Sequence, residues 1–352
     1  MVSFAVPNTL HSMKFLSYLK DGQDQLAILV DGLLYDTDAI HPELPGNMEL
    51  FLNVWDEALE AVREAEEAIH TTLLPLFKGI SPEKVQILAP VPRAASCRDA
   101  YAFRQHVAAA RRNRKLGMIP EYDQFPVFYF TNHHSIQGPG DIECMPDHFQ
   151  QLDFELEVSI VIGRQGRNIS ASVADEYIAG FMIMNDMSAR VLQMEEMKLN
   201  LGPAKGKDFC TVTGPMLVTP DELESFRVAP KAGHTGNSYN LKMVCRLNGQ
   251  PVSEGNMGDM DWTFAEIIER CAYGADLYPG DIIGSGTVGT GCLLELNGTK
   301  KGNDPEAPEI WLQPGDQLDM EIEGLGRLEN TLKAADTEYS LLALKKIVAE
   351  GK

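Results

Sequence analysis

The sequence predicts a β-dominated α+β fold. Short apolar runs bounded by Gly-rich turns outnumber helical patterns, and they do not alternate with helices as a βαβ series would. Asn248-Gly249 joins two such runs, a strong signature of a tight hairpin.

Taken in order, residues 13–19 and 25–30 flank the polar turn 20–24, and Gly32 leads to Leu33-Leu-Tyr35, which reads as a small meander. Leu50, Phe51, Val54, Leu59 and Val62 recur near helical spacing, so a helix is expected over about 48–69. Val85-Gln-Ile-Leu88 reads as a strand, which Pro90-Val-Pro92 closes. This divides a small N-terminal β-rich domain, 1–90, from a larger domain, 91–352. Within the larger part, helices are expected over about 99–115, 188–197 and 262–271. Strands are expected near 127–130, 156–162, 181–184, 281–283, 293–296 and 317–322, with 241–247 and 250–253 forming the hairpin. No internal repeat or low-complexity tract interrupts them.

The 352 residues carry a formal net charge of −21, which argues against nucleic-acid partners and attachment to anionic membranes. No run approaches the roughly 18 apolar residues of a membrane span. Positive charge is local, at Arg111, Arg112, Arg114 and Lys115, and again at Arg190, Lys198, Lys205 and Lys207. Either cluster serves an anionic ligand or a solvated helix face. The six cysteines are far apart, with no C-x-x-C and nothing before them that reads as a signal peptide, so reduced thiols of a cytoplasmic protein are expected.

The most informative residues are Glu155 and Glu157 in Gln151-Leu-Asp-Phe-Glu-Leu-Glu-Val-Ser-Ile-Val-Ile-Gly163. Residues i and i+2 of a strand share a face, so both carboxylates project together while Phe154, Leu156 and Val158 face the other way. An exposed acidic face is the plain alternative, but the run continues through Ile160, Val161 and Ile162 as a doubly buried strand would. A second apolar segment, 179–184, ends at Asp186 and adds a third carboxylate. With no Cys or His among them, such a set suits Mg²⁺, Mn²⁺ or Ca²⁺ rather than zinc.

Asp99, Tyr101 and His106 share one short segment, in which Asp99 also suits a helix N-cap. His106 is a general-base candidate, although a single histidine is often structural. The glycines of 284–291 are either plain turns or places where backbone amides approach a ligand. Glu295, between Leu294 and Leu296 on an expected strand, needs a partner if buried, and a histidine is one candidate.

The ordered set Asp99-x-Tyr-x-x-Arg-Gln-His106, Pro126-Val-Phe-Tyr129, Glu155-x-Glu157, Met184-Asn-Asp-Met-Ser-Ala-Arg-x-x-Gln193, Leu201-Gly-Pro-x-x-Gly-Lys-x-Phe209, Ser285-Gly-Thr287 and Leu294-Glu-Leu296 resembles the fumarylacetoacetate hydrolase family. The resemblance spans about 91–331. It implies a catalytic domain of bent mixed β-sheets in a roll, a homodimer, and a divalent metal on Asp99, Glu155, Glu157 and Asp186. It further implies that His106 activates water and is oriented by Glu295, that Arg190, Gln193 and Lys207 steady the developing negative charge, and that Tyr101, Tyr129 and Thr287 contact substrate. An arginine after the histidine grips a carboxylate in the family. Arg112 stands for it here, with Arg111 and Arg114 as alternatives that spacing does not separate.

The expected activity is metal-dependent hydrolysis of a C–C bond in a β-diketone or acylpyruvate-type acid, from aromatic-compound catabolism. The metal, Mg²⁺ or otherwise Ca²⁺ or Mn²⁺, would act as a Lewis acid on the diketone oxygens. Decarboxylation, hydration or isomerisation of a 2-oxo acid is the alternative. Smaller family members carry a lid His-x-x-Glu, and no such pattern occurs in this chain. That favours the Asp-plus-His arrangement of the larger hydrolases.

Overall fold

A computed structural model of the protein describes residues 13–71 and 77–346, so the outer ends of both expected domains and residues 72–76 lie outside it. Strands dominate, in two large mixed sheets and three small ones. In the larger sheet the order is Leu33–Asp36, Gln23–Val30, Lys14–Lys20, Thr211–Val218, Ile178–Asp186, Leu156–Ile162, Asp281–Gly284, Ser96–Ala100 and Phe128–Thr131. Its long pairings are antiparallel except Asp281–Gly284 with Ser96–Ala100. The second sheet runs Gln250–Asn256, Lys242–Leu247, Gln317–Ile322, Gly326–Ala334, Gly140–Cys144. Asn248 and Gly249 turn the expected hairpin with φ of 51° and 76°, the left-handed pair that a two-residue turn of this kind requires.

The central strand Leu156–Ile162 is buried throughout because both its faces are covered. Leu156, Val158, Ile160 and Ile162 join a core with Met243, Leu318, Met320 and Leu328 of the second sheet. Val161, on the opposite face, packs with Met182 and Ile282 against Phe15, Phe51, Trp55 and Val62 of the N-terminal segment. The sheet and this second core therefore run across the expected boundary at residue 90.

Several elements differ from expectation. The helix expected over 48–69 is two, Met48–Leu52 and Trp55–Thr71, and Asn47 caps the first by accepting from Leu50 N–H. The helix expected from 99 begins only at Arg104, since Asp99 pairs into the sheet as part of Ser96–Ala100. The helix expected from 188 begins at Arg190. The strand expected over 293–296 is the first turn of a helix, Leu293–Asn303. Among the described residues no helix is long and apolar enough to cross a membrane.

Candidate active site

Strand alternation builds the acidic end of the site. Glu157 is on the face opposite the main core, and Glu155 precedes it by one alternation. Antiparallel pairing sets Leu156 opposite Asn185, which brings Asp186 alongside Glu155. Asp99 enters from the other flank, opposite Gly284, which itself pairs with Ser159. A Cβ at residue 284 would lie 2.4 Å from Asp99 Oδ1, so glycine is needed for that carboxylate to swing in. Gly286 N–H then donates to the same oxygen at 3.0 Å. Carboxylate oxygens of Asp99, Glu155 and Asp186 lie within 4.8 Å of one another. Glu157 is fully buried and accepts from Thr287 Oγ1 at 3.3 Å.

Two buried cations answer this acid. Lys207 Nζ contacts Glu155 and donates to Asp186 Oδ2 at 2.7 Å, and Arg190 Nη2 donates to Glu155 Oε1 at 2.8 Å. Tyr129 OH also donates to Asp186. Burial would raise Glu155, but Lys207 and Arg190 outweigh it and hold the carboxyl at about 2. Burial and Asp186 push Asp99 up to about 7. Burial, with Asp99 and Glu155, pushes Glu157 well above the carboxylate range, and Asp186 is raised as well, mainly by burial. Among the described residues Glu157 Oε2 and Asp186 Oδ1 are buried without a hydrogen-bond partner. Crowded acids, raised pKa values and orphaned oxygens are what a hard divalent cation would resolve. The residues present fit one, with Asp99, Glu155, Glu157 and Asp186 as the donors that could hold it.

His106 and Glu295, separated by 189 positions, meet with Nδ1 and Oε2 2.7 Å apart and both side chains buried. A ligand-capable atom of His106 is also within 4.8 Å of one from Glu155, which sets this pair against the acidic cluster. Glu295 reaches the histidine from the first helical turn rather than from a strand. Cys292 Sγ accepts Glu295 N–H at 3.4 Å, and Asp153 accepts the N–H groups of Leu293 and Leu294 at 2.7 and 3.0 Å. An acid at the orphaned amides of a helix start favours helix over the strand that Leu293-Leu-Glu-Leu296 suggests.

Asp153 was not among the residues expected. It receives Arg190 Nε at 2.9 Å and Nη2 at 2.7 Å. The signal lay in its spacing, since Asp153, Glu155 and Glu157 form one alternating series.

A cavity of about 710 Å³ opens over this cluster. All the expected site residues line it except Glu157 and Asp186, which lie beneath, and Arg112. Arg112 does not line it, whereas the alternatives Arg111 and Arg114 do: on helix Arg104–Asn113 and its cap they follow the face of His106, Val107 and Ala110, and residue 112 is rotated away by helical geometry. Their Nε–H groups donate to Gly117 and Ala110 carbonyls, and neither forms an ion pair among the described residues. Gln193 Oε1 accepts from Arg190 Nη1 at 2.9 Å, and the Tyr101 ring stands edge-on to His106 with centroids 6.0 Å apart.

Residues 96–333 match the fumarylacetoacetate hydrolase C-terminal family. Over 302 residues the chain is 31% identical to a mitochondrial oxaloacetate tautomerase of Rattus norvegicus, covering 86% of this chain and 84% of that protein. A mitochondrial oxaloacetate tautomerase of Bos taurus is 30% identical, covering 85% and 83%. Among solved structures, a fumarylacetoacetate hydrolase from Exiguobacterium antarcticum superposes with a TM-score of 0.64 at 28% identity, covering 92% of this chain and all of that one.

Proposed function

Because the chain belongs to the fumarylacetoacetate hydrolase family, we propose that it is a divalent-metal-dependent enzyme of β-diketone or 2-oxo acids, and that its reaction is hydrolysis of a C–C bond beside a carbonyl. The observation that carries this reading is the buried His106–Glu295 pair next to the carboxylate cluster. Mg²⁺ or Mn²⁺ on Asp99, Glu155, Glu157 and Asp186 would supply Lewis acidity toward the substrate oxygens. The chain supplies the rest. With Nδ1–H directed at Glu295, His106 presents a basic Nε2 for a proton of water, and Glu295 compensates the positive charge that the ring then takes up. Arg190 and Lys207 place fixed positive charge where an oxyanion develops. Tyr101, Tyr129 and Thr287 line the cavity and would offer hydroxyls to substrate oxygens, and Arg111 or Arg114 would receive its carboxylate.

A second reading is favoured by the rat and bovine relatives, whose names describe oxaloacetate tautomerases. The same histidine could move a proton between carbon and oxygen without consuming water. Incubating the Mg²⁺-loaded protein with acetylpyruvate or with enol oxaloacetate, in oxygen-labelled water, separates the two. Hydrolysis yields two acids, one of them labelled in its carboxylate, by mass spectrometry. Accelerated ketonisation of oxaloacetate with acetylpyruvate left intact would replace the hydrolase reading by the tautomerase.

A further inference from the structure

The cavity runs well beyond the acidic cluster. Helix Arg190–Met197 starts with Arg190 on Glu155, then lines the cavity with Gln193, Met194 and Met197, one stripe at i+3, i+4 and i+7. At 1.5 Å per residue Met197 lies about 10 Å along the axis from Arg190. Ile119, Val127, Phe128 and Trp311 line the same cavity. Ile119, Val127 and Met197 leave 36%, 43% and 41% of their surface open, so the cavity offers apolar side chains without cover. Pockets of this volume enclose ligands far larger than a four-carbon diacid. Such a diacid, held by its carbonyl oxygens beside Arg190, would end short of Met197 and leave these side chains wet.

We infer that the substrate is a 2-oxo acid whose arm beyond the reactive carbonyls is apolar and at least the size of a phenyl ring, lying along Met194, Met197 and Phe128; the inference rests on the 2-oxo acid reading above and deepens it. Methionine beside aromatic rings suits a planar arm, because thioether sulfur is polarizable and the side chain adapts its shape. Gln193, Met194 and Met197 bring no charge to the part of the cavity that this helix lines.

The test separates the arm from the chemistry. In the Mg²⁺-loaded protein, calorimetric titration compares pyruvate with 4-phenyl-2-oxobutyrate, neither of which has a β-dicarbonyl bond to hydrolyse. Ultraviolet assay then compares acetylpyruvate with benzoylpyruvate. The expected result is a dissociation constant at least tenfold lower for the phenyl acid and kcat/KM at least tenfold higher for benzoylpyruvate, as apolar complementarity of more than one methylene allows. Met194→Asp should shrink both ratios by at least tenfold. Equal affinity for pyruvate and the phenyl acid overturns the arm, even if acetylpyruvate is cleaved well. Tight binding of the phenyl acid with both dicarbonyls left intact upholds the arm and removes the hydrolase reading. Unchanged ratios in Met194→Asp, with a folded protein by circular dichroism, remove the arm from this helix.

Discussion

Asp153 grips Arg190 through both Nε and Nη2, at 2.9 and 2.7 Å, in a fully buried pairing. The same carboxylate accepts the backbone N–H groups of Leu293 and Leu294. One acid thus fixes the cation beside Glu155 and the start of the helix that carries Glu295.

Asp153→Ala should therefore destabilise the protein by about 3 kcal/mol, the usual cost of leaving one partner of a buried ion pair uncompensated. Denaturant unfolding measures it. Asp153→Asn should lose less, since the amide oxygen still accepts one of the two helix N–H groups. A wild-type midpoint for the alanine variant would contradict the role assigned to Asp153.

For the dyad, His106→Ala should abolish turnover while leaving divalent-metal affinity nearly intact. Glu295→Gln should cost orders of magnitude, by analogy with the roughly 10⁴-fold loss when a triad aspartate is neutralised. Groups that act as a unit give non-additive losses, so the double variant should be scarcely slower than the worse single one. Fully additive rates would separate the two residues functionally.

The acidic cluster predicts an unusual pH dependence for metal-stripped protein. A carboxyl raised in the folded state stabilises the fold at low pH and loses that contribution as pH climbs through its folded value. Asp99, moved from 3.8 to about 7, with Glu157 and Asp186 shifted the same way, should lower Tm across that window. Glu155, held at about 2, acts in the opposite sense only below about pH 4. Adding Mg²⁺ should raise Tm by an increment that grows with pH, and Asp186→Asn should weaken its binding by calorimetry. An increment that is constant between about pH 5 and pH 7 would mean that these carboxylates do not receive the ion.

Gly284→Ala isolates the geometry of Asp99. The added methyl, 2.4 Å from Asp99 Oδ1 and 2.9 Å from the Met184 thioether, must displace the carboxylate. We expect at least tenfold weaker Mg²⁺ binding and a corresponding loss of activity. Unaltered Mg²⁺ affinity would show that Asp99 contributes little to the ion.

Much of this site was legible because its signals are local. Glu155 and Glu157 announce a shared face through strand alternation, and Asn248-Gly249 announces its turn through φ alone. What the sequence hid depends on partners distant along the chain. Leu293-Leu-Glu-Leu296 has the composition of a strand and becomes helical where Asp153, 140 positions earlier, meets its first amides. Asp99 suits an N-cap by type but is drawn into the sheet by Asp281–Gly284. The choice among Arg111, Arg112 and Arg114 needed the phase of a helix against a cavity, which their adjacency in sequence conceals.

The N-terminal strands carry a practical consequence for anyone shortening this protein. Lys14–Lys20 lies against Leu217 and Val218 of Thr211–Val218, the strand that also flanks Asp186, while Phe15 and Trp55 shield Val161 and Met182 from water. Truncation after the proline segment would not release an autonomous catalytic module. It would bare a greasy sheet face and a raw flank of unpaired amides and carbonyls, the template from which chains add to one another and precipitate.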